Sequence, residues 1–387
     1  MPTGAEPGPV GMHVRDVFRH RGFGETLDLC CHRVRHVAAE GIPVTTQASG
    51  QATPTSAEEF LDRPPTVGQR VHAILHHQPA LSPAIVLVLA GIVFGLLNHR
   101  FYRLENLSLV AQQTAVVGSL AVGQTLVILT AGIDLSVGAV LVLSSLVMSK
   151  LAFDNGVPGV LALLIGALVA VAAQAVNGLL VTRIKLPPFI VTLGTLSIFT
   201  AVTLIYAKGQ TVQLQPGAFL LWSAKSISIG SVHLTTGVLL MVALYVVSAF
   251  ALRYTAWGRH LYAVGDDLEA ARLAGISVNR VLLSAYMVAG LAIAVAAWIL
   301  VGRVGGGDPN SGINANLQSI TAVVIGGTSL FGGRGVVIGS LIGAFIVQVF
   351  VNGLALAGYD PNYQVLAVGV LVIAAVSVDQ WIRSVKA

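Results

Sequence analysis

From about residue 79 to the end, long apolar runs alternate with short polar interruptions. A helix that crosses the hydrocarbon core of a bilayer needs about 20 predominantly apolar residues. On that measure the pattern predicts ten spans, at 80–97, 107–130, 137–153, 157–181, 189–207, 234–252, 281–301, 315–330, 336–356 and 363–381. The eighth is short for a full crossing, and only residues 131–136 separate the second from the third. The expected fold is therefore an all-α polytopic membrane protein with about ten transmembrane helices, broken or shortened near 131–136 and 315–333. Two stretches break the rhythm. Residues 1–78 contain no sustained apolar run and include Pro2, Pro7, Pro9, Pro43, Pro54, Pro64 and Pro65. Residues 253–280 form a polar loop between the sixth and seventh spans, longer than the two to eight residues usual between packed helices.

Composition supports this division. Apolar residues make up 55% of the 387 positions and charged residues only 10%, against roughly 25% in a soluble domain. Too few charges are present to cover a soluble surface of this size, which excludes a soluble enzyme and a disordered chain. The 42 glycines suit helices packed closely in lipid. The tail is the exception, because 1–78 hold seven of the 22 Lys and Arg, eight of the 17 Asp and Glu and seven of the ten His. It is expected to be a disordered cytoplasmic tail, or to arise from translation upstream of the true start, and it lacks the basic, apolar and cleavage regions of a signal peptide. Its Cys30, Cys31, His32 and His36 match no common zinc spacing, so no metal site is expected.

The net charge of +5 is small, and the basic residues sit in short loops rather than in a nucleic-acid-binding face. Positive residues favour the cytoplasmic side. With ten spans and an inside amino terminus, Arg63, Arg70, Arg183, Lys185, Arg253, Arg259, Arg272, Arg280, Arg334, Arg383 and Lys386 lie inside. Arg100, Arg103, Lys150, Lys208, Lys225 and Arg303 lie outside. Both termini are expected in the cytoplasm.

Asp134 is the most informative residue of the apolar region. It stands in Thr130-Ala131-Gly132-Ile133-Asp134-Leu135-Ser136-Val137-Gly138, between two spans. A carboxylate within a bilayer is costly and by default points to function, and Gly132 and Gly138 allow the backbone to break there. Capping of the following helix is a second role open to it. The stretch Gly326-Gly327-Thr328-Ser329-Leu330-Phe331-Gly332-Gly333 is a weak echo of 131–138, as in transporters built from two related halves. Amides and hydroxyls within the spans, among them Gln124, Thr125, Gln174, Asn177, Thr192, Gln318 and Asn352, suit an uncharged polyhydroxylated solute or bonds between helices.

None of the five lysines follows a glycine, so the phosphate-binding Gly-Lys-Ser/Thr pattern is missing. No nucleophile, zinc motif or proton-relay cluster appears in the spans, and no enzymatic activity or cofactor is expected in this chain. In the loop, Gly258 to Ile276 reads GRHLYAVGDDLEAARLAGI. Asp266 or Asp267 is placed to cap a short helix over 268–274, which Gly275 ends. Leu268, Ala271 and Leu273 are expected to give that helix an apolar side.

Glu269-Ala270-Ala271, with Gly275 four residues on, resembles the EAA coupling loop of ABC-importer permeases. The stretches 121–138 (AVGQTLVILTAGIDLSVG) and 322–335 (AVVIGGTSLFGGRG) are similar to the signature of the ribose/xylose/arabinose branch. The resemblance spans roughly 80–387 and departs from the family in its long tail and in Asp266-Asp267, where Gly-Asn is common. It implies a multi-pass permease of the bacterial inner membrane. The implied partners are two ATPase subunits that bind ATP and magnesium, an extracytoplasmic sugar-binding protein and a second permease subunit, identical or different. It further implies coupling through Gly265, Asp266, Glu269, Ala270, Ala271 and Gly275, and a solute pathway near Gln124, Thr130, Asp134, Ser136 and Asn177. A permease for a nucleoside, an autoinducer-type sugar or a branched-chain amino acid is the near alternative, and an ion-driven secondary transporter the more distant one.

Overall fold

The computed structural model describes residues 81–229, 232–312 and 314–384. The expected tail 1–78, with its Cys30–His36 cluster, lies outside the described residues. The elements are α1 (Leu81–Leu97), α2 (Leu104–Leu129), α3 (Val137–Phe153), α4 (Gly159–Leu179), α5 (Pro188–Ala207), β1 (Val212–Gln213), β2 (Ser226–Ile229) and β3 (Val232–Thr235). They continue with α6 (Thr236–Tyr254), α7 (Ala256–Asp266), α8 (Leu268–Leu273), α9 (Val278–Val304), β4 (Gly306–Gly307), α10 (Ala315–Ile325), α11 (Val337–Leu356) and α12 (Pro361–Ser384). Short 3₁₀ helices occur at His99–Tyr102 and Phe219–Ala224, and a π turn, Leu180–Ile184, extends α4.

Among the described residues six helices, α2, α4, α5, α6, α9 and α11, are long and apolar enough to cross a membrane, and α1, α3, α10 and α12 are shorter apolar helices. These ten fall on the ten predicted spans. The eighth is shorter than expected: α10 stops at Ile325, because Gly326 and Gly327 follow, the latter at φ +84°. The loop 253–280 carries the expected short helix as α8 and, before it, α7, which was not expected. The two short antiparallel pairs, β1 with β4 and β2 with β3, have no counterpart in the predicted spans.

Helix α2 is the hub. It is 89% buried over its most apolar window, whereas α4 and α5 are 28% and 22% buried and turn Leu164, Leu168, Ile190, Ile198 and Ile205 outward. On one side α2 meets α9, which also packs on α3 and α4; on the other it meets α10 and α11, which carry α1 and α12. Many hydroxyls within the spans bond back to a carbonyl of their own helix, as Thr114, Ser119, Ser149 and Thr182 do, but several polar side chains serve these contacts. Asn106 and Asn352 exchange two amide hydrogen bonds of 3.0 Å, Thr125 and Ser340 hydroxyls lie 2.7 Å apart, and Tyr245 donates to the Gly118 carbonyl at 2.9 Å.

Glycine sets the closest approach. A Cβ at Gly343 would lie 1.9 Å from the Ala322 carbonyl oxygen, and one at Gly339 2.1 Å from that of Gly326. The Gly339-x-x-x-Gly343 spacing therefore lets α11 touch the backbone of the short helix α10. Gly343→Val is expected to cost about 3 kcal/mol or more, since backbone must move to admit the side chain. Thermal unfolding of the detergent-solubilised protein checks this, and an unchanged midpoint would show that the two helices need no such contact.

Candidate functional site

The functional region is built where α2 ends. The last turn of α2 closes at Leu129, and Ala131 adopts φ +60°, a conformation that reverses the chain. Residues 130–136 then run beside α10. At one end the Gly333 N–H donates to the Leu129 carbonyl (3.0 Å), and at the other the Asn316 amide donates to the Leu135 carbonyl (3.4 Å). Helix α3 starts at Val137 against the start of α10, where a Cβ at Gly138 would lie 3.3 Å from the Asn316 nitrogen. Two helix amino termini therefore meet inside the bundle, each carrying a partial positive charge.

Asp134 sits beside the first of them and is 1% exposed. Its Oδ1 accepts from the backbone N–H of Ser136 (2.8 Å) and from the Ser136 hydroxyl (2.7 Å), and its Oδ2 accepts from the Gln174 amide of α4. The Asn177 amide, one turn on, donates to the Ser136 oxygen at 2.8 Å and to Gln174 Oε1 at 3.3 Å. Every partner of Asp134 is a donor, so the carboxylate is held as an acceptor. It forms no ion pair among the described residues. The helix terminus and three hydrogen bonds offset only part of its desolvation. The Thr192 hydroxyl of α5 donates to the Ile133 carbonyl at 2.9 Å and pins the segment from a third side.

Three of the five expected pathway residues, Asp134, Ser136 and Asn177, thus belong to one network. Thr130 does not join it, because its hydroxyl donates to Val127 in its own turn. Gln124 lies within α2, and neither its Nε2 nor its Oε1 finds a partner among the described residues; the same holds for Asn177 Oδ1 and the Tyr286 hydroxyl. Tyr286 borders the segment, since its hydroxyl would lie 3.4 Å from a Cβ at Gly132. It stands eight residues into α9, about 12 Å from the start of that helix and well inside the span. Gln174 was visible in the sequence only as one polar residue of a span, and Tyr286 carried no signal there.

The second part of the site is the α7–α8 segment. Asp267, rather than Asp266, is the cap: its Oδ1 accepts from the N–H groups of Glu269 (2.9 Å) and Ala270 (3.0 Å). Gly275 follows at φ +82° in open space. The expected apolar side of α8 divides in two. Ala271 is buried against the bundle, Leu268 is partly exposed, and Leu273 is 89% exposed. Asp266, Glu269, Ala270 and Gly275 are also exposed, with Glu269 paired to Arg272 at 2.9 Å. Gly265 is buried and points the other way. A Cβ there would lie 1.7 Å from the Leu129 carbonyl oxygen and 2.6 Å from the Gly333 nitrogen. Beside it the Tyr262 hydroxyl donates to the Gly335 carbonyl at 2.8 Å, and burial pushes its phenol up, which keeps it a neutral donor.

The two echoing stretches are therefore neighbours in space. Gly332 approaches Ala131, Gly333 bonds to Leu129, and the end of α7 rests on both. The polar network, the break after α2 and the exposed face of α8 form one connected chain of contacts.

Residues 106–376 match the family model described as branched-chain amino acid transport system / permease component. The chain belongs to this permease family. A fructose import permease of Rhizobium meliloti is 47% identical over 338 residues, covering 86% of this chain and 94% of the relative. A ribose import permease of Bacillus subtilis (strain 168) is 38% identical over 301 residues, covering 78% and 92%. The D-allose transport system permease of Escherichia coli (strain K12) is 32% identical over 298 residues, covering 77% and 90%. No solved structure matches the chain. As a permease with six long apolar helices the protein is a multi-pass membrane protein, and the relatives are transport components rather than enzymes.

Proposed function

We propose that this permease is the transmembrane subunit of an ATP-driven ABC importer that translocates a monosaccharide delivered by an extracytoplasmic binding protein. The single observation that carries the reading is the connected chain from the exposed face of α8, through Gly265, to the break that holds Asp134. The sugar-permease relatives select the solute class. ATP and magnesium belong to separate ATPase subunits, which dock on Asp266, Glu269, Ala270, Leu273 and Gly275. Gly265 and Ala271 act from the inner side of the same segment as the joint to the bundle. A second permease subunit completes the transporter, and both termini are cytoplasmic.

In this reading nucleotide binding displaces α8, and the displacement reaches residues 129–136 through Gly265. A shift between outward-open and inward-open states requires that the partners bind the two states with different affinity. Gln124, Asn177 Oδ1 and the Tyr286 hydroxyl keep buried polar atoms that no group among the described residues satisfies. Such atoms cost about 1–3 kcal/mol each when unpaired, and a hydroxylated solute in transit supplies the missing partners.

The test is reconstitution of the full transporter in proteoliposomes with labelled D-fructose, D-ribose and D-allose. Uptake that requires both ATP and binding protein supports the reading; ATP-independent flux that follows an ion gradient would overturn it. Leu273→Asp tests the docking face directly. Loss of one exposed leucine from an interface is worth about 1–2 kcal/mol, so ATPase affinity should fall about tenfold with no change in the thermal stability of the permease. Titration of the ATPase subunit against immobilised permease measures it, and unaltered affinity would place docking elsewhere.

A further inference from the structure

On the α12 side of α10, a cavity of about 110 Å³ is lined by Asn314, Leu317, Gln318, Pro361, Gln364, Val365 and Val368. Both helices begin there, after the connections 305–314 and 357–360. Three of the lining side chains are amides, and no ionisable group is among them. Gln318 Oε1 accepts from Gln348 at 3.4 Å, whereas the side chains of Asn314 and Gln364 make no hydrogen bond among the described residues. Gln364 is half-buried in the first turn of α12, between Tyr363 and Val365. The Asn314 and Gln364 amides, each at the start of its helix, keep both a donor and an acceptor for a polar guest in the cavity.

We propose that Asn314, Gln318 and Gln364 form a recognition site for one face of an uncharged polyhydroxylated solute entering from the outer side. Each amide donates and accepts, which matches vicinal hydroxyls and discriminates against ions. Leu317 and Val368 provide the apolar surface against which a sugar ring lies. The cavity is smaller than the roughly 300–1,000 Å³ of a complete ligand pocket, so it holds one face of the ring and leaves the other on its open side. The site acts before the Asp134 network on the inward path, and it rests on the sugar-import reading.

The experiment uses the complete transporter in proteoliposomes with Cys30→Ser and Cys31→Ser as background. Gln364→Cys is labelled with a small maleimide, with and without D-fructose or D-ribose at high concentration, and Asn314→Cys is treated in the same way on the facing wall. The transported sugar is expected to slow labelling at both positions by about fivefold, corresponding to about 1 kcal/mol of occupancy. Gln318→Ala combined with Gln364→Ala should change the ratio of fructose to ribose uptake while stimulated ATP hydrolysis persists. Equal labelling rates with and without sugar, or no labelling at either position, while the background protein still transports, would overturn the site and leave the function standing. If the unsubstituted transporter takes up none of the sugars under ATP, the functional reading itself fails.

Discussion

Gly265→Ala is expected to abolish uptake while the ATPase subunits still bind and hydrolyse ATP at their basal rate. The added methyl would sit 1.7 Å from the Leu129 carbonyl oxygen and 2.6 Å from the Gly333 nitrogen, both backbone atoms that have no rotamer to change. The end of α7 must therefore back away from the break after α2. Overpacking of this kind costs about 1–3 kcal/mol, a small part of the stability of a bundle this size but enough to open the joint. The docking face of α8 is unchanged, so binding and hydrolysis persist and only their transmission is lost. Gly275→Ala supplies the contrast. That glycine has φ +82° but open space around it, so its alanine variant suffers only backbone strain of about 1 kcal/mol and should keep most of its transport. Uptake and ATPase activity measured on the same proteoliposomes separate the two variants. Full transport by Gly265→Ala would show that the joint carries no motion.

Asp134→Asn should reduce uptake by at least about tenfold, the loss of one charge-assisted hydrogen bond. An asparagine there keeps an acceptor for Ser136 but turns an NH₂ group toward the Gln174 amide, which already donates to Oδ2. If Gln174 flips to accept, its NH₂ meets the Asn177 amide, which now donates to Gln174 Oε1. Each rearrangement passes the unpaired donor to the next side chain. Adding Gln174→Glu removes the conflict, because a carboxylate at 174 accepts from both 134 and 177. The double variant is expected to recover at least about half of the lost uptake, as coupled positions in one network are non-additive. A double variant worse than either single one would show that the charge must stand at 134 itself.

The spans were legible because apolar length is nearly all that a bilayer requires of a helix, and each predicted run from 80–97 to 363–381 met a helix. Their limits were less so. The turn that stops α10 depends on Gly327 at positive φ, and in a chain this rich in glycine no single one announces itself. Asp134 was conspicuous as a charge among apolar residues, yet the partners that hold it, Gln174 and Asn177, lie 40 and 41 residues on from Asp134 and Ser136, brought in by helix packing. The α8 motif was readable in its cap and its glycine. What the pattern could not convey is that Ala271 faces inward while Glu269 and Leu273 face outward, because a six-residue helix is too short for periodicity to assign faces, or that Gly265 of α7 meets the Leu129 carbonyl.

The burial of α2 bears on how the chain enters its membrane. Of the six long apolar helices it is the least apolar, and it is also the most enclosed by its neighbours. A segment of this kind gains little from lipid alone and much from α9, α10 and α11, all of which are synthesised after more than half of the protein has emerged. The helix that organises the finished bundle is thus the one least able to settle on its own. During biogenesis α2 must be retained at the insertion machinery, or shielded beside α1, until the later helices arrive to enclose it.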